Sequence, residues 1–295
     1  MEPRRLLASM FALVLTYAGA GARAAAAVEA PVDAYPDVAS AYWVEIDGRP
    51  LWAGRADARL PTASLAKLMT ALIAVEHGDL DGWAEVSAGA AMETGTRIGL
   101  RRGEQVKQRD LLLATLVRSA NDACRALADA IGAASDPRSA TATFVARMNV
   151  RAAALGLANT HYADPCGHDA PGQYGSARDL ATLSHAVLAA PILAEMTQQR
   201  EMRMATAKGR TFTARTTNAL LDGLPGARGL KTGTTPAAGR CLVAVVDRGG
   251  RRVLAVLLHA PERWWDSIGL IELAFEAPSV PAHSGNATPR DAAVD

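Results

Sequence analysis

The chain has 295 residues, 49% of them hydrophobic, which is enough apolar material for the core of one large domain or two small ones. Its 31 Lys and Arg residues almost balance its 30 Asp and Glu residues. The protein therefore lacks the strong net charge that draws proteins to nucleic acid or to anionic membranes. We expect a globular protein with a small or roughly neutral partner and no nucleic acid.

Residues 1–26 have the composition of a secretory signal peptide. Two arginines precede an apolar stretch at residues 6–18, and Ala22-Arg23-Ala24 follows as a candidate cleavage site. The apolar stretch is shorter than the ~20 residues that a membrane-spanning helix needs, so cleavage is favoured over retention as an anchor. The pattern predicts a periplasmic, or otherwise extracytoplasmic, protein without a stable membrane anchor.

The composition divides the remaining chain into three parts. Residues 27–37 are rich in Ala, Pro and Asp, as in a flexible linker, and residues 277–295 are small, polar and punctuated by Pro, as in a disordered tail. No repeat or low-complexity segment interrupts residues 38–276. We therefore expect one continuous folded domain there.

Both ends of this domain have the pattern of a β-hairpin. In each case two runs of apolar residues flank a turn sequence that contains Gly, which favours a pair of antiparallel strands. The predicted strand pairs are Ala41–Ile46 with Leu51–Ala53, around Asp47–Pro50, and Cys241–Val246 with Val253–Leu258, around Asp247–Gly250.

The middle of the domain is predicted to be a helical subdomain. One helix, capped by Gly78, has apolar residues at the i, i+3, i+4, i+7 and i+8 spacing of a single face, namely Leu65, Leu68, Met69, Leu72 and Ile73. Similar patterns predict helices at 110–117, 139–154, 177–190 and 263–275, and Ser176 with Asp179 is a candidate capping box for the third of these. Strands at both ends around a helical middle predict an α+β fold, with an antiparallel sheet that is built from both chain ends and carries helices on its faces.

Cys124, Cys166 and Cys241 are an odd number of cysteines for a chain that is exported to an oxidising compartment, so at least one has no partner within the chain. Their wide spacing fits no metal-ligand pattern, and the common metal, nucleotide and α/β-hydrolase motifs are absent from the sequence. We expect neither a metal nor a cofactor. The cysteines are interpreted as small buried residues, with room for one disulfide whose pairing the sequence does not predict.

Three short motifs carry the candidate chemistry, in chain order Ser64-Leu65-Ala66-Lys67, Ser119-Ala120-Asn121 and Lys231-Thr232-Gly233-Thr234. Ser64 falls in the predicted first turn of a helix, where the helix dipole stabilises a developing negative charge. Lys67 lies three residues later on the same side of the helix, within reach of the Ser64 hydroxyl. A serine nucleophile needs a neighbouring base, and burial together with a second cation such as Lys231 favours the neutral amine that can act as one.

Each motif alone has an ordinary explanation: a solvent-facing pair on a helix, a capped turn between helices, and an edge strand with a lysine. All three in this order, on a helix start, an inter-helix loop and a strand, make coincidence a poor explanation. The sequence resembles the active-site serine penicillin-recognising enzymes, and within them the low-molecular-weight D-alanyl-D-alanine carboxypeptidases and endopeptidases. The resemblance spans roughly residues 40–276 and includes, beyond the motifs and their flanks, Leu155-Gly156-Leu157 and Ser176–Ala181.

The resemblance implies the β-lactamase/DD-peptidase fold and a reaction on peptidoglycan stem peptides, with β-lactam antibiotics as covalent inhibitors. Ser64 would attack the carbonyl between two D-alanines, with Lys67 as the base and Ser119 relaying a proton to the leaving amine. The backbone N–H groups of Ser64 and Thr234 would form the oxyanion hole. The resemblance also assigns substrate binding to Asn121, Lys231, Thr232, Gly233, Thr234 and Arg263. For Arg263, a surface arginine that shields two neighbouring tryptophans is an equally good interpretation.

Residues 164–168 depart from the pattern of the family, which has Asn-Pro-x-Gly-Leu where this chain has Asp-Pro-Cys-Gly-His. We therefore expect different loop chemistry near the site. A histidine titrates near neutral pH, but His168 is not expected to be catalytic, because Lys67 already supplies the base.

Two other functions use the same fold or the same motifs. A class A β-lactamase needs a further glutamate that activates the deacylating water. The glutamates between Ser119 and Lys231 are Glu195 and Glu201, and neither is followed by the expected Leu-Asn pair. A non-enzymatic module that binds peptidoglycan needs neither Lys67 nor Ser119. We therefore expect a peptidase that β-lactams inhibit.

Carboxypeptidase and endopeptidase reactions share one acylation centre, and the motifs do not distinguish between them. The chain ends soon after the helix predicted at 263–275, so we expect it to lack the β-rich domain and amphipathic anchor of some relatives. By resemblance to single-domain relatives, endopeptidase ability alongside carboxypeptidase is slightly favoured. No oligomeric state is predicted.

Overall fold

The computed structural model describes residues 33–136 and 138–278. The predicted signal peptide, the first part of the predicted linker and residues 279–295 of the predicted tail lie outside the described residues. Tyr35 lies half-buried within the apolar cluster under the helix at Arg263–Glu276, next to Gly269. Asp33 accepts a hydrogen bond from the Tyr42 hydroxyl. These contacts join the start of the described chain to the domain.

The described residues form nine strands, nine α-helices and a short 3₁₀ turn at Ala63–Ala66. The strands are β1 (Ala41–Ile46), β2 (Arg49–Gly54), β3 (Trp83–Glu85), β4 (Gln105–Lys107), β5 (Glu201–Ala205), β6 (Thr211–Arg215), β7 (Ala227–Thr235), β8 (Gly239–Arg248) and β9 (Arg251–Leu258). The helices are α1 (Lys67–His77), α2 (Ala88–Ala91), α3 (Gln108–Val117), α4 (Asn121–Ala133), α5 (Ala140–Ala154), α6 (Ala177–Ala189), α7 (Pro191–Met196), α8 (Leu220–Gly223) and α9 (Arg263–Glu276).

The main sheet has five antiparallel strands in the order β2-β1-β9-β8-β7. Strand β1 pairs with β9 along its whole length, from Ala41 opposite Leu258 to Ile46 opposite Val253. The prediction of a sheet built from both chain ends is therefore confirmed, as are both predicted hairpins. The hairpins β3–β4 and β5–β6 lie outside this sheet.

The central strands have both faces buried, because successive residues of a strand point to opposite faces and each face has its own cover. In β8, Val243 and Val245 pack in the cluster formed with the helical subdomain, whereas Leu242, Ala244 and Val246 pack in the cluster formed with α9. Two covered faces explain why β8 and β9 have nearly continuous apolar sequences instead of alternating ones.

Helix α1 is buried on every side over its first two turns. The spacing of its apolar residues predicts one buried face, but every residue from Lys67 to Ala74 is buried. The polar member of the remaining face, Thr70, donates a hydrogen bond from its hydroxyl to the Pro165 carbonyl. The Lys67 side chain, at the start of α1, therefore cannot reach solvent by lying along the surface of the helix.

The predicted helix boundaries agree with the structure to within one or two residues, except at the first helix. Ser64 lies in the 3₁₀ turn, and α1 begins only at Lys67. The hairpin β5–β6 was not among the predicted elements. Its sequence does alternate, with Met202 and Met204 buried between exposed residues, but its polar outer face resembles a loop.

The predicted capping box at the start of α6 is half correct. Ser176 Oγ accepts a hydrogen bond from the Asp179 N–H at 3.2 Å. The Asp179 carboxylate binds elsewhere, because its Oδ2 accepts from the Asn159 N–H and the Thr160 hydroxyl, each at 2.8 Å. The reciprocal bond of a capping box is therefore replaced by a tie to the preceding loop.

Gly132 lies where α4 meets the start of α5, and a Cβ atom there would lie 1.8 Å from the Ala140 carbonyl oxygen. We expect Gly132→Ala to lower the free energy of unfolding by about 1–3 kcal/mol, because the two helix backbones must separate. Gly223 in α8 is the matched control, since a Cβ there meets no atom within 4 Å. Urea denaturation measures both variants. Equal midpoints for Gly132→Ala and Gly223→Ala would contradict the close helix contact.

Candidate active site

The turn that carries Ser64 is packed between two glycines. Ala63, just before it, has a left-handed backbone with φ of 49°. A Cβ on Gly167 would lie 2.0 Å from the Ala63 carbonyl oxygen, and a Cβ on Gly233 would lie 3.0 Å from the Ser64 nitrogen. Only glycine allows such an approach. Strand β7 and the loop at 164–168 therefore both pack directly on this turn.

Lys67 is fully buried, and its amino group contacts three oxygen atoms. Nζ lies 2.9 Å from Ser64 Oγ and 2.8 Å from Asn121 Oδ1, and it also donates to the Cys166 carbonyl. Carbonyl and amide oxygens only accept hydrogen bonds, whereas a hydroxyl can donate or accept. A neutral Lys67 therefore gives its two protons to Asn121 and Cys166 and presents its lone pair to the Ser64 hydroxyl.

Burial lowers the pKa of Lys67 to about 7, and the Asp164 and Glu93 carboxylates oppose this shift. A large fraction of this amine is therefore neutral at neutral pH. Burial is the largest cause of the lowered pKa of Lys67. The pKa of Lys231 is lowered well below its usual value, first by burial and further by the charges of Lys67 and Arg263. Repulsion between the two amines acts on both of them.

Ser119 follows α3 and has a left-handed backbone with φ of 60°. Its Oγ accepts a hydrogen bond from Lys231 Nζ at 2.8 Å, and the same Nζ donates to the Thr232 carbonyl at 2.9 Å. A positive φ is unfavourable for a residue with a Cβ, so the surrounding structure must hold Ser119 in place. The second and third motifs meet at this contact.

Both ends of the Asn121 side-chain amide have partners. Oδ1 accepts from Lys67 Nζ, and Nδ2 donates to the Thr94 carbonyl at 2.7 Å. If the amide were flipped, the Asn121 Nδ2 donor would face the Lys67 Nζ donor, so these two hydrogen bonds fix the orientation of the amide. The next residue, Asp122, is buried and accepts from the backbone N–H groups of residues 98–100. The loop before β4 is thereby tied to the start of α4.

Arg263 at the start of α9 contacts the third motif. Its Nη1 donates to the Gly233 carbonyl at 2.8 Å and to Thr234 Oγ1 at 2.9 Å. The guanidinium also lies over the Trp264 ring, 4.6 Å from the ring centroid. Arg263 therefore contacts the third motif and one of the two neighbouring tryptophans, and its binding of a substrate carboxylate stays a prediction. Burial lowers the pKa of Arg263, but a guanidinium stays protonated throughout the physiological range.

The loop at 164–168 is fixed by a covalent bond and by a carboxylate. A disulfide joins Cys166 to Cys124 in α4, and Cys241 is a buried free cysteine, which settles the pairing that the sequence left open. Asp164 Oδ1 accepts from the backbone N–H groups of residues 166–168 at 2.8, 2.7 and 3.0 Å. This loop departs from the family's pattern, and it supplies the carbonyl that binds Lys67.

His168 lies in the wall of the cleft, but its ring binds a glutamate and not Ser64. Nε2 lies 2.8 Å from Glu93 Oε2, and Arg125 pairs with the other oxygen of the same carboxylate at 3.4 Å. The sequence did not single out Glu93, because the residue lies in a stretch without a motif. Thr217 was missed for the same reason, although its Oγ1 lies 2.7 Å from Thr232 Oγ1.

Three of the predicted site residues, Ser64, Asn121 and Thr234, line an open cleft of about 280 Å³. Lys67 lies behind this wall and contacts both Ser64 and Asn121. Glu195 and Glu201, considered for a β-lactamase, are exposed on α7 and β5 and do not line this cleft. Within residues 33–136 and 138–278, no cluster of three or more His, Cys, Asp or Glu side chains is placed to hold a metal ion. The arrangement therefore offers a serine nucleophile, two buried amines and several hydrogen-bond donors.

Comparisons with known proteins agree with this geometry. The chain matches the D-alanyl-D-alanine carboxypeptidase family over residues 26–262. D-alanyl-D-alanine carboxypeptidase DacB2 of Mycobacterium tuberculosis is 30% identical, over 81% of this chain and 84% of that relative. D-alanyl-D-alanine carboxypeptidase DacC of Escherichia coli is 33% identical, over 79% of this chain but only 60% of that relative.

Solved structures give the same result. The Streptomyces K15 DD-transpeptidase superposes with a TM-score of 0.76 at 28% identity, over 81% of this chain and 97% of that one. The D-alanyl-D-alanine carboxypeptidase from Mycobacterium tuberculosis superposes with a TM-score of 0.74 at 28% identity, over 85% of this chain and 95% of that one. The predicted β-lactamase/DD-peptidase fold is confirmed, and the chain belongs to the D-alanyl-D-alanine carboxypeptidase family.

Proposed function

We propose that this chain is a serine-type D-alanyl-D-alanine peptidase that cleaves peptidoglycan stem peptides through an acyl-enzyme on Ser64. The observation that carries the proposal is the environment of Lys67, whose amino group has two fixed acceptors and one hydroxyl neighbour. Membership of the family supports the reaction, and the contacts of the three motifs support the roles of the residues.

The acylation step begins with proton transfer from the Ser64 hydroxyl to Lys67. Oγ then forms a bond to the carbonyl carbon of the penultimate D-alanine, and the carbonyl oxygen becomes negatively charged. The backbone N–H groups of Ser64 and Thr234 would stabilise this charge, and both residues line the same cleft. The tetrahedral species collapses to a Ser64 ester as the carbon–nitrogen bond breaks.

The leaving amine needs a proton when that bond breaks, and Ser119 is suited to deliver it. Its Oγ accepts from Lys231 Nζ, so its own proton remains available for donation to the leaving amine. Ser119 would relay to the amine the proton that Lys67 removed from Ser64, so the number of protons in the site does not change.

The substrate carboxylate would bind on the β7 side of the cleft. Thr232 and Thr234 offer hydroxyl groups, Gly233 allows the strand to approach Ser64, and Arg263 adds a positive charge. An incoming carboxylate would also favour the protonated form of Lys231. Asn121, which orients Lys67, would also bind the substrate amide.

β-Lactams would acylate the same serine, and the resulting acyl-enzyme would hydrolyse slowly. Hydrolysis of the acyl-enzyme at β-lactamase rates needs a glutamate that activates water, and the two glutamates that were considered for this role lie away from the cleft. The antibiotic would therefore remain as a long-lived covalent inhibitor.

The site of action would be outside the cytoplasm, in the periplasm, after removal of the signal peptide predicted at residues 1–26. The Cys124–Cys166 disulfide supports this location, because such bonds persist in oxidising compartments. No helix within the described parts of the chain is long and apolar enough to cross a membrane.

Acylation by benzylpenicillin tests the nucleophile. We expect the intact mass of the wild-type protein to increase by the mass of one penicillin and to stay increased for minutes to hours, whereas Ser64→Ala gains no mass. Ser87→Ala is the matched control, since Ser87 is an ordinary N-cap of α2. Acylation of Ser64→Ala, or antibiotic turnover without an adduct in the wild type, would contradict the proposal.

The acylation rate should depend on pH through Lys67, because only the neutral amine can take a proton. With a pKa of about 7, the neutral fraction rises with pH, so the second-order rate constant should increase about tenfold per unit well below pH 7 and level off above it. Stopped-flow acylation between pH 5 and 9 measures this profile. Lys67→Arg should be inactive throughout, because a guanidinium does not deprotonate. A flat profile for the wild type would exclude Lys67 as the base.

The disulfide should matter for both stability and acylation. Replacing both cysteines in Cys124→Ala/Cys166→Ala should lower the free energy of unfolding by about 2–4 kcal/mol, since the cross-link restricts the unfolded chain. Acylation should also slow, because the freed loop holds Lys67 less firmly. Cys241→Ala removes another buried sulfur without cutting a cross-link and is the control. Stability and acylation equal to those of Cys241→Ala would show that the loop needs no tether.

A further inference from the structure

A second groove, of about 500 Å³, lies beside the catalytic cleft and has a strongly basic lining. We call it the arginine groove, and its lining includes Arg97, Arg118, Thr211, Phe212, Thr213 and Arg215. The hairpin β5–β6 supplies one wall, and the loop before β4 supplies the other. None of the three motifs includes these residues.

Two of the three arginines have no counter-charge. Among the described residues, the side chains of Arg97 and Arg118 make no hydrogen bond, ion pair or ring contact. Arg215 pairs with Asp222 at 2.7 Å, but both side chains are about half exposed or more, so this pair is weak. The nearby Glu104 is already bound by Arg210. The groove therefore carries uncompensated positive charge and several hydroxyl groups.

The arginine groove adjoins the part of the cleft that handles the leaving group. Arg118 immediately precedes Ser119, the proposed proton donor to the leaving amine. Thr217, two residues after Arg215, donates its N–H to the Val117 carbonyl and lies 2.7 Å from the hydroxyl of Thr232.

The other wall of the groove is also continuous with the cleft. Thr96 lines the cleft, and the next residue, Arg97, lines the groove. The Thr96 carbonyl accepts the Asn121 N–H at 2.7 Å, which fixes this wall to the second motif. A leaving group that extends past Thr232 would therefore enter the arginine groove.

We infer that the arginine groove binds carboxylates of an extended leaving peptide, which makes cross-linked stem peptides with an anionic leaving strand a substrate class of this site. Arginine suits this task, because its planar guanidinium donates two parallel hydrogen bonds to a carboxylate. A single D-alanine ends at its own carboxylate, which Thr232 and its neighbours would bind, so it gains nothing from the groove. The inference rests on the proposed function and concerns its substrate preference.

Two synthetic cross-linked peptide dimers test the inference. The two dimers differ only in the leaving peptide. Beyond the residue that supplies the nitrogen of the scissile amide, its carboxylates are free in one dimer and converted to carboxamides in the other. Chromatography of the released peptides gives kcat/KM for each dimer. The wild type should cleave the free-carboxylate dimer about tenfold more efficiently, and the difference should lie mainly in KM. The preference should fall to less than about twofold in Arg97→Gln/Arg118→Gln.

Arg138→Gln is the matched control, because Arg138 is an exposed arginine that lines a different cavity. It should keep the wild-type preference. The preference is a ratio measured within each variant, so a general loss of activity cancels. Penicillin acylation of every variant is recorded in parallel and reports on the proposed function independently.

Three outcomes would overturn the inference: no cleavage of either dimer by an enzyme that penicillin acylates, equal cleavage of both dimers, or an unchanged preference in the double variant. Failure of penicillin to acylate the wild type would instead overturn the proposed function and the inference with it. A preference that is lost in Arg97→Gln/Arg118→Gln and kept in Arg138→Gln would support the inference.

Discussion

The hydrogen bonds of one buried amino group, Lys67 Nζ, set the conditions for the rest of the site. A polar group that is removed from water without partners costs several kcal/mol, so the fold must offer an acceptor for each of its protons. It takes one acceptor from α4, through Asn121, and one from the loop at 164–168, through Cys166. The third neighbour is the Ser64 hydroxyl. The arrangement that gives each proton of the neutral lysine an acceptor therefore also directs its lone pair at the Ser64 hydroxyl.

Each of those acceptors is itself held by further contacts. Thr94 fixes the Asn121 amide, and the Cys124–Cys166 disulfide together with Asp164 fixes the loop. Strand β7 reaches Ser64 only because Gly233 has no side chain. The helical subdomain, the loop and the sheet thus meet at one turn, and the chemistry depends on how closely their backbones approach. The loop and the sheet contact the Ser64 turn through main-chain atoms, at Gly167 and Gly233. These contacts depend on close packing of the backbone more than on the identity of particular side chains.

The main hairpins and the sheet built from both chain ends could be predicted from the sequence, because they depend on runs of apolar residues around turn sequences. The family could be predicted because its motifs have fixed residues and spacing. It did not show that α1 is buried all round, since Thr70 and the alanines of its other faces look neutral in a sequence pattern. Glu93 and Thr217 are brought to the site only by tertiary packing, far from any motif. Burial is the largest cause of the lowered pKa of Lys67, and burial of this degree cannot be derived from residue spacing.

The pairing of β1 with β9 has a consequence for the order of assembly. Ala41 lies opposite Leu258, so the strand that leads to Ser64 finds its central partner almost at the far end of the domain. Contacts between residues so distant in sequence form late and slowly, because a long loop must close first. A chain that is still being synthesised already contains the serine and its lysine, yet β7, β8 and β9 follow only at the end. The strand that carries the third motif and the central partner of β1 are therefore in place only after almost the whole domain has been synthesised.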